Sequence, residues 1–394
     1  MTLRSALAVL LAAPIFGADT IPPSPGLVVH EWGTFTSVAD SSGRSMRWMP
    51  LSAAPDLPCF VNRLHGANPK ASLFGLVRME TPVIYFYTSK QTAVIARADF
   101  PHGLITEWYP QAVVTPPVAD SIPAGGAHIE WRAQVTPGEA LELPSGKSAS
   151  HYFAARETDA APLRVGSQQE KMLFYRGIGD FSVPLTVAFS NDGWLAIRNP
   201  SPDAIPMAMV FENRQGRMGF RAVHDLRAET KLETPQLTGD AASVRRQLAE
   251  SLVTAGLYPK EAQAMIATWS DSWLEEGMRV FYVVPRGFVD SVLPLTVAPA
   301  PETVARVFVG RVEVLSPALA KTLETALADG DTLTLGKYGR FLQPFEAILK
   351  QRTKGVVESP TAKTFMDRKL GEALSAYNSP SAGGACFSLP AGVK

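Results

Sequence analysis

Apolar positions recur along this chain with two different periods, and the change between them falls near residue 238. Up to that point they come in short runs rich in β-branched and aromatic residues, separated by turn formers, which predicts strands. The first run is Leu27 to Val38, LVVHEWGTFTSV; residues 39–80 then hold turn-forming clusters such as SSGRS and AAPDLP. Val83 to Tyr87, Ala93 to Phe100 and Ile105 to Val114 predict three strands of an antiparallel meander. The next run alternates cleanly, with Ile129, Trp131, Ala133 and Val135 on one face and His128, Glu130, Arg132 and Gln134 on the other. Asp192-Gly193 predicts a hairpin between Leu185 to Ser190 and Trp194 to Asn199, and NRQG predicts another between Met207 to Glu212 and Met218 to His224.

Beyond residue 238 the period is helical. Val244, Leu248 and Leu252 fall four apart before Gly256, and Pro259 opens a second helix carrying Met265, Trp269 and Trp273 before Gly277. The pattern predicts a helical hairpin whose tryptophans face the core; a ligand platform is the second reading of that pair. Strands return at Val280 to Val284, Val292 to Val297 and Val304 to Leu315, where Gly310 marks a bulge or a close approach. Leu319, Leu323 and Leu327, then Phe341, Phe345 and Leu349, then Phe365 to Tyr377 form a helical C-terminal tail. The predicted class is α+β. Residues 27–236 form an antiparallel, sandwich-like β-rich domain, and residues 237–394 an α+β domain, separate from the first or packed with it as one unit.

Composition narrows the partners. Among 394 residues, Lys plus Arg and Asp plus Glu each number 37, so the net charge is zero and nothing favours nucleic acid or an anionic membrane surface. Residues 1–18 read as a cleaved signal peptide, with Arg4, the apolar stretch Ala6 to Phe16, and Ala18 before Asp19; a buried N-terminal strand or helix is the other reading. No later stretch approaches the ~20 apolar residues of a transmembrane segment. The expected location is periplasmic or secreted. There Cys59 and Cys386 would meet an oxidising compartment and form a disulfide closing nearly the whole chain, with two separate buried thiols as the alternative.

The segments VVHEWGTFTSV, METPVIYFY, LITEWYPQA, HYFAARETDAAPL and LFYRG, with VPRGFVDSVLPLTVAP and VFVGRVEVL, resemble those of a group of exported bacterial proteins of uncharacterised function. The resemblance runs across most of residues 28–315. It implies export and a shared architecture, and brings no catalytic residue or cofactor with it.

Candidate chemistry therefore rests on residue types. The chain has no P-loop, no GxGxxG after a strand, no GxSxG elbow, no HExxH and no paired-cysteine metal site, and its cofactor is unknown. His151, Arg156, Glu157 and Asp159 crowd into HYFAARETD, where they could supply an acid, a base and a cation, or an ordinary ion-pair network; Tyr175 and Arg176 could join either. His128 and Glu130 share a strand face but make a weak metal site, while a site assembled from His30, His65, His102 or His151 stays open. Carboxylates stand beside aromatics at Glu31-Trp32, Glu107-Trp108-Tyr109 and Glu130-Trp131, as glycan cleavage by paired carboxylates requires, although each Trp could equally be core.

The candidate catalytic residues are thus Glu31, Glu107, His151, Glu157 and Asp159. The candidate ligand-binding residues are His30, Trp32, Trp108, Tyr109, Arg156, Tyr175 and Arg176, with no metal site assigned. Two functions remain: an exported β-rich binding or structural module with an unknown ligand, a polysaccharide among the candidates, and an exported hydrolase of a glycan or similar polymer. Ionisable groups placed in apolar strands need partners, so His30, Glu107 and His151 either share one cleft or sit in separate local salt bridges.

Overall fold

The computed structural model describes residues 24–52, 56–64, 73–145, 150–190, 193–352 and 357–378. The predicted signal segment, His65, and Cys386 of the predicted disulfide lie outside the described residues, as does Asp192 of the predicted hairpin turn. The fold is α+β. Its centre is a nine-stranded sheet in the order Arg217–Leu226, Ile205–Arg214, Gly277–Val283, Pro301–Val314, Ser24–Val38, Val77–Tyr87, Leu173–Gly179, Gly103–Tyr109, Asn62–Arg63. The opening strand lies in the middle. It runs parallel to Pro301–Val314, with Val29 opposite Val304 and Val38 opposite Glu313, and antiparallel to Val77–Tyr87. A parallel pair needs a long crossover, and here most of the chain supplies it. The sheet consequently draws strands from both sides of residue 237 and knits the two predicted parts together.

Each face of this sheet has its own core. Leu27, Val29 and Phe35 of the opening strand pack with Val94, Ala96, Ile129 and Trp131 of a six-stranded sheet that includes Thr92–Phe100 and Ala127–Val135. Trp32, on the opposite face, packs with Val244, Leu248, Leu252, Met265, Trp269 and Trp273 of the helical hairpin Ala241–Thr254 and Pro259–Trp273. Asp240 starts that hairpin with a capping box, accepting from the Ser243 N–H while the Ser243 side chain reaches back. Further along, Leu323, Leu327, Phe341, Phe345 and Leu349 of the C-terminal helices close over Val38, Trp48 and Leu315. No helix among the described residues is long and apolar enough to cross a membrane.

Local chemistry explains where strands turn or break. The hairpin joining Ile205–Arg214 to Arg217–Leu226 turns at Gln215 and Gly216, both at positive φ (55° and 78°), as a tight primed turn requires. Gly310 is a close approach, because a Cβ there would stand 2.0 Å from the Tyr282 ring. The expected three-strand meander does not form: Thr92–Phe100 pairs with Ala127–Val135 and Leu295–Ala298 in the six-stranded sheet, while Leu173–Gly179 lies between Val77–Tyr87 and Gly103–Tyr109 in the central one. Two expected strands also differ in extent from those observed. Ile105 to Val114 is split into Gly103–Tyr109 and Val113–Thr115 at Pro110, which has no N–H for a ladder. Val292 ends the short helix Arg286–Val292, which buries Val289 and Val292 three apart, and the strand begins only at Leu295.

A bulge positions the site. Thr81, at φ 47°, interrupts Val77–Tyr87 where its register against the opening strand shifts between Trp32 and Thr34. The extra residue changes which alternate positions face the helices. Arg78 and Glu80 face them before the bulge, and Val83 and Tyr85 after it.

Candidate functional site

Toward one end of the helix-facing side, apolar strand residues give way to a stripe of charge. Gly277–Val283 contributes Arg279, Pro301–Val314 contributes Arg311 and Glu313, and Val77–Tyr87 contributes Arg78 and Glu80. Leu173–Gly179 adds Arg176, and Gly103–Tyr109 adds Glu107. All seven are buried, and buried charges demand partners. Glu313 Oε1 accepts from Arg279 Nε at 2.8 Å and Arg311 Nε at 2.6 Å, while Arg311 reaches Glu275 at 2.6 Å and Ser272 at 2.8 Å through its other nitrogens. Glu80 accepts from Thr36 Oγ1 at 2.8 Å and pairs with Arg340. Arg78 Nη2 donates to both Glu107 oxygens, at 3.1 and 3.0 Å. Arg176 holds both oxygens of Asp56, at 2.7 and 2.8 Å, and gives its Nε to Thr81 at 3.2 Å.

A cavity of about 340 Å³ opens over part of the stripe, bounded by the strands Val77–Tyr87, Leu173–Gly179, Gly103–Tyr109 and Asn62–Arg63, the end of helix Pro259–Trp273, Asp56 with Leu57, Pro50 with Leu51, and Gly339 with Arg340. Its ionisable lining is Asp56, Arg63, Arg78, Glu80, Glu107, His151, Arg176, Asp271, Glu275 and Arg340. At the rim, His151 Nδ1 lies 2.7 Å from Asp56 Oδ2, and Nε2 lies 2.7 and 2.8 Å from the two oxygens of Asp271. Burial works against a charged imidazole there, but the hydrogen bonds and charges of Asp56 and Asp271 outweigh it and raise the His151 pKa. Burial likewise works against the Asp56 carboxylate, and Arg176 with His151 outweighs that, holding its pKa well below the ordinary value. Glu80 is lowered in the same way, burial being overcome by Arg340 and Arg311. Trp269 forms part of the wall, but only 2% of it is exposed, with the His151 ring 4.8 Å and the Arg176 guanidinium 5.7 Å from its ring centre.

Among the residues singled out from sequence, Glu107, His151 and Arg176 meet at this cavity. His30 does not. The opening strand delivers it to Glu261, 2.8 Å from His30 Nδ1, where Tyr87 Oη and the Tyr258 N–H also donate to the same carboxylate, each at 2.7 Å. The expected cleft therefore takes in two of its three residues. Glu31 faces the other side of the sheet, accepting from Tyr175 Oη at 2.5 Å and Arg306 Nε at 2.6 Å. Trp32 is core, Trp108 is half-buried, and Tyr109 is buried, with burial and then the Glu170 charge pushing its pKa up to about 12. Arg156 is tied to Glu170 at 2.6 Å, Asp159 pairs with Lys260 on the surface at 2.6 Å, and Glu157 is exposed. Glu130 pairs with Arg132 at 2.9 Å rather than with His128. Among the described residues no group of three or more His, Cys, Asp and Glu side chains could hold a metal ion.

Asp56, Arg78, Glu80, Asp271, Glu275 and Arg340 were not singled out as site residues from sequence, and Trp269 was read first as core. Arg78 and Glu80 carry a usable signal, as do Arg311 and Glu313. Each pair is a charged i, i+2 couple inside an otherwise apolar strand run, which places both charges on one face. No protein-family model matches the chain, and comparison with curated proteins finds no match.

Proposed function

We propose that this protein is an exported, soluble binding module that holds a small polar ligand in the cavity above the charged stripe. The observation that carries this reading is the convergence of guanidinium, imidazole and carboxylate groups from separate strands, a loop and a helix on one cavity. Its volume lies near the lower end of the range for small-molecule sites, roughly 300 to 1,000 Å³. Buried ion pairs contribute little net stability compared with apolar residues of the same size, so their concentration beside a cavity favours a role in recognition. The charges of the lining also balance: Arg63, Arg78, Arg176, Arg340 and a protonated His151 stand against Asp56, Glu80, Glu107, Asp271 and Glu275. Such a lining suits a ligand of no large net charge that both donates and accepts hydrogen bonds, as a hydroxyl-rich sugar unit does.

Export, a cleaved N-terminus, a Cys59 to Cys386 bridge and a sandwich-like pairing of the two large sheets belong to the same reading. The charged, then apolar, start of the chain supports the first two. The core that the two sheets share supports the last.

Glycan hydrolysis fits this site less well. A glycosidase needs one carboxyl group kept protonated as its acid, whereas guanidinium groups favour the ionised forms of Asp56 and Glu80. Trp269, already covered by His151 and Arg176, offers no free ring face for a sugar. The test is a calorimetric and thermal-shift screen of the full chain with neutral mono- and disaccharides and with zwitterionic amino acids. One class should bind and raise the melting temperature of the wild type but not of Arg176→Met. Release of reducing ends from a polymer would favour the hydrolase instead, and no binding from either class would remove the proposal.

A further inference from the structure

We infer that His151 is a pH-operated clasp across the rim of the cavity; its use in ligand capture rests on the binding reading above, while its chemistry does not. Both imidazole nitrogens lie within hydrogen-bond distance of carboxylate oxygens. Ionised carboxylates only accept, so both contacts are made at once only when the ring carries two protons. The three residues come from distant parts of the chain: Asp56 from the loop beside the cavity, His151 from the segment leading into the short helix Phe153–Arg156, and Asp271 from the end of helix Pro259–Trp273. The imidazolium therefore links loop, segment and helix at one point.

Loss of one proton breaks a particular contact. Asp56 keeps both of its bonds to Arg176, stays ionised, and can retain the one remaining N–H of a neutral ring. The Asp271 side chain is 73% exposed, accepts otherwise from the neighbouring Ser272 N–H, and faces water once the imidazole no longer donates to it. The remaining charged lining consists of Glu80, Glu107 and Glu275, each paired with a guanidinium, together with Arg63, Arg78 and Arg340. No other lining group makes a hydrogen bond with His151 among the described residues. The Trp269 ring packs against the imidazole. The rim is thus clasped while His151 is protonated and released on the Asp271 side as it deprotonates, so a ligand inside is held more tightly on the acid side of that titration.

The experiment uses the full chain without ligand. Long-range ¹H–¹⁵N spectra, with His151 assigned through His151→Gln, should show a doubly protonated ring at pH 6 that titrates above the range of an exposed histidine. Asp271→Asn, at an exposed position, should lower that midpoint. Amide exchange, normalised for the intrinsic effect of pH, should quicken at least threefold over residues 150–157 and 266–273 as wild-type His151 titrates, with the central strands unchanged. His151→Gln should show the quick rate at every pH. A neutral His151 at pH 6, an unchanged midpoint in Asp271→Asn, or pH-independent exchange overturns the clasp. A clasp that titrates as described in a protein that binds none of the screened ligands stands by itself and overturns only the binding reading.

Discussion

Arg78 and Glu107 form a two-point ion pair across a strand that belongs to neither of them. Leu173–Gly179 runs between their strands, and Arg78 crosses it where Gly177 offers its carbonyl at 3.2 Å. Both side chains are nearly water-free, so each keeps the other's charge tolerable. Glu107→Gln should then cost about 3 to 5 kcal/mol, the range for removing one partner of a buried pair, because a bare guanidinium is left behind. The double variant Arg78→Met, Glu107→Leu should recover most of that loss. Urea unfolding of the three proteins measures it, and a loss under about 1 kcal/mol in Glu107→Gln would count against the pair as described.

Gly310 should not accept a side chain. A Cβ there meets the Tyr282 ring at 2.0 Å, and both residues sit in strands of the central sheet. Gly310→Ala should destabilise by about 1 to 3 kcal/mol or more, as overpacking does. Gly371 has nothing within 4 Å and lies in helix Pro360–Asn378, so Gly371→Ala should stabilise by about 0.5 to 1 kcal/mol. Equal effects at the two positions would contradict the close approach.

Much of this fold was legible because its signals are local. Val244, Leu248 and Leu252 announce a helix face, Ile129 and Trp131 a strand face, and the turn at Gln215 and Gly216 a hairpin. The parallel pairing of the opening strand with Pro301–Val314 left no such trace, since the partners come from opposite ends of the chain. The site divides in the same way. Glu107 and Arg176 stand out as charges within apolar strands, and His151 as the start of a polar cluster, whereas Asp56 and Asp271 read as loop and helix-surface charges until tertiary structure places His151 between them.

A second pH effect is expected far from the cavity. Burial, then a hydrogen bond to Glu358 and the charge of that carboxylate, outweigh Lys350 and raise the Glu346 pKa to about 7. A carboxyl group with a raised folded pKa takes up a proton on folding, so its contribution to stability falls as pH rises from about 4.5 toward 7. Glu346→Gln should therefore raise the melting temperature at pH 8 and leave it nearly unchanged at pH 4. A gain of equal size at both pH values would contradict the assignment.

Export and the disulfide are checked together. Protein recovered from the periplasm or medium should lack its first ~18 residues. Its intact mass without reductant should show Cys59 and Cys386 resistant to alkylation. The loop-entropy relation sets an upper estimate of about 5 to 6 kcal/mol for a bridge spanning so much of the chain. An intact N-terminus, or two alkylated thiols on folded protein, would remove the respective claim.

The most direct test of ligand binding at the charged stripe is to watch its guanidinium groups. In protein labelled with ¹⁵N-arginine, the Nε–H signals of Arg78 and Arg176 should shift and saturate together on titration with a neutral, hydroxyl-rich ligand selected by the screen. Those of Arg97 and Arg198, in surface pairs with Asp99 and Glu229, should stay fixed. Saturable shifts at Arg47, beside His102 and Asp120 in a different cavity, with Arg78 and Arg176 unmoved, would contradict the assignment of the site.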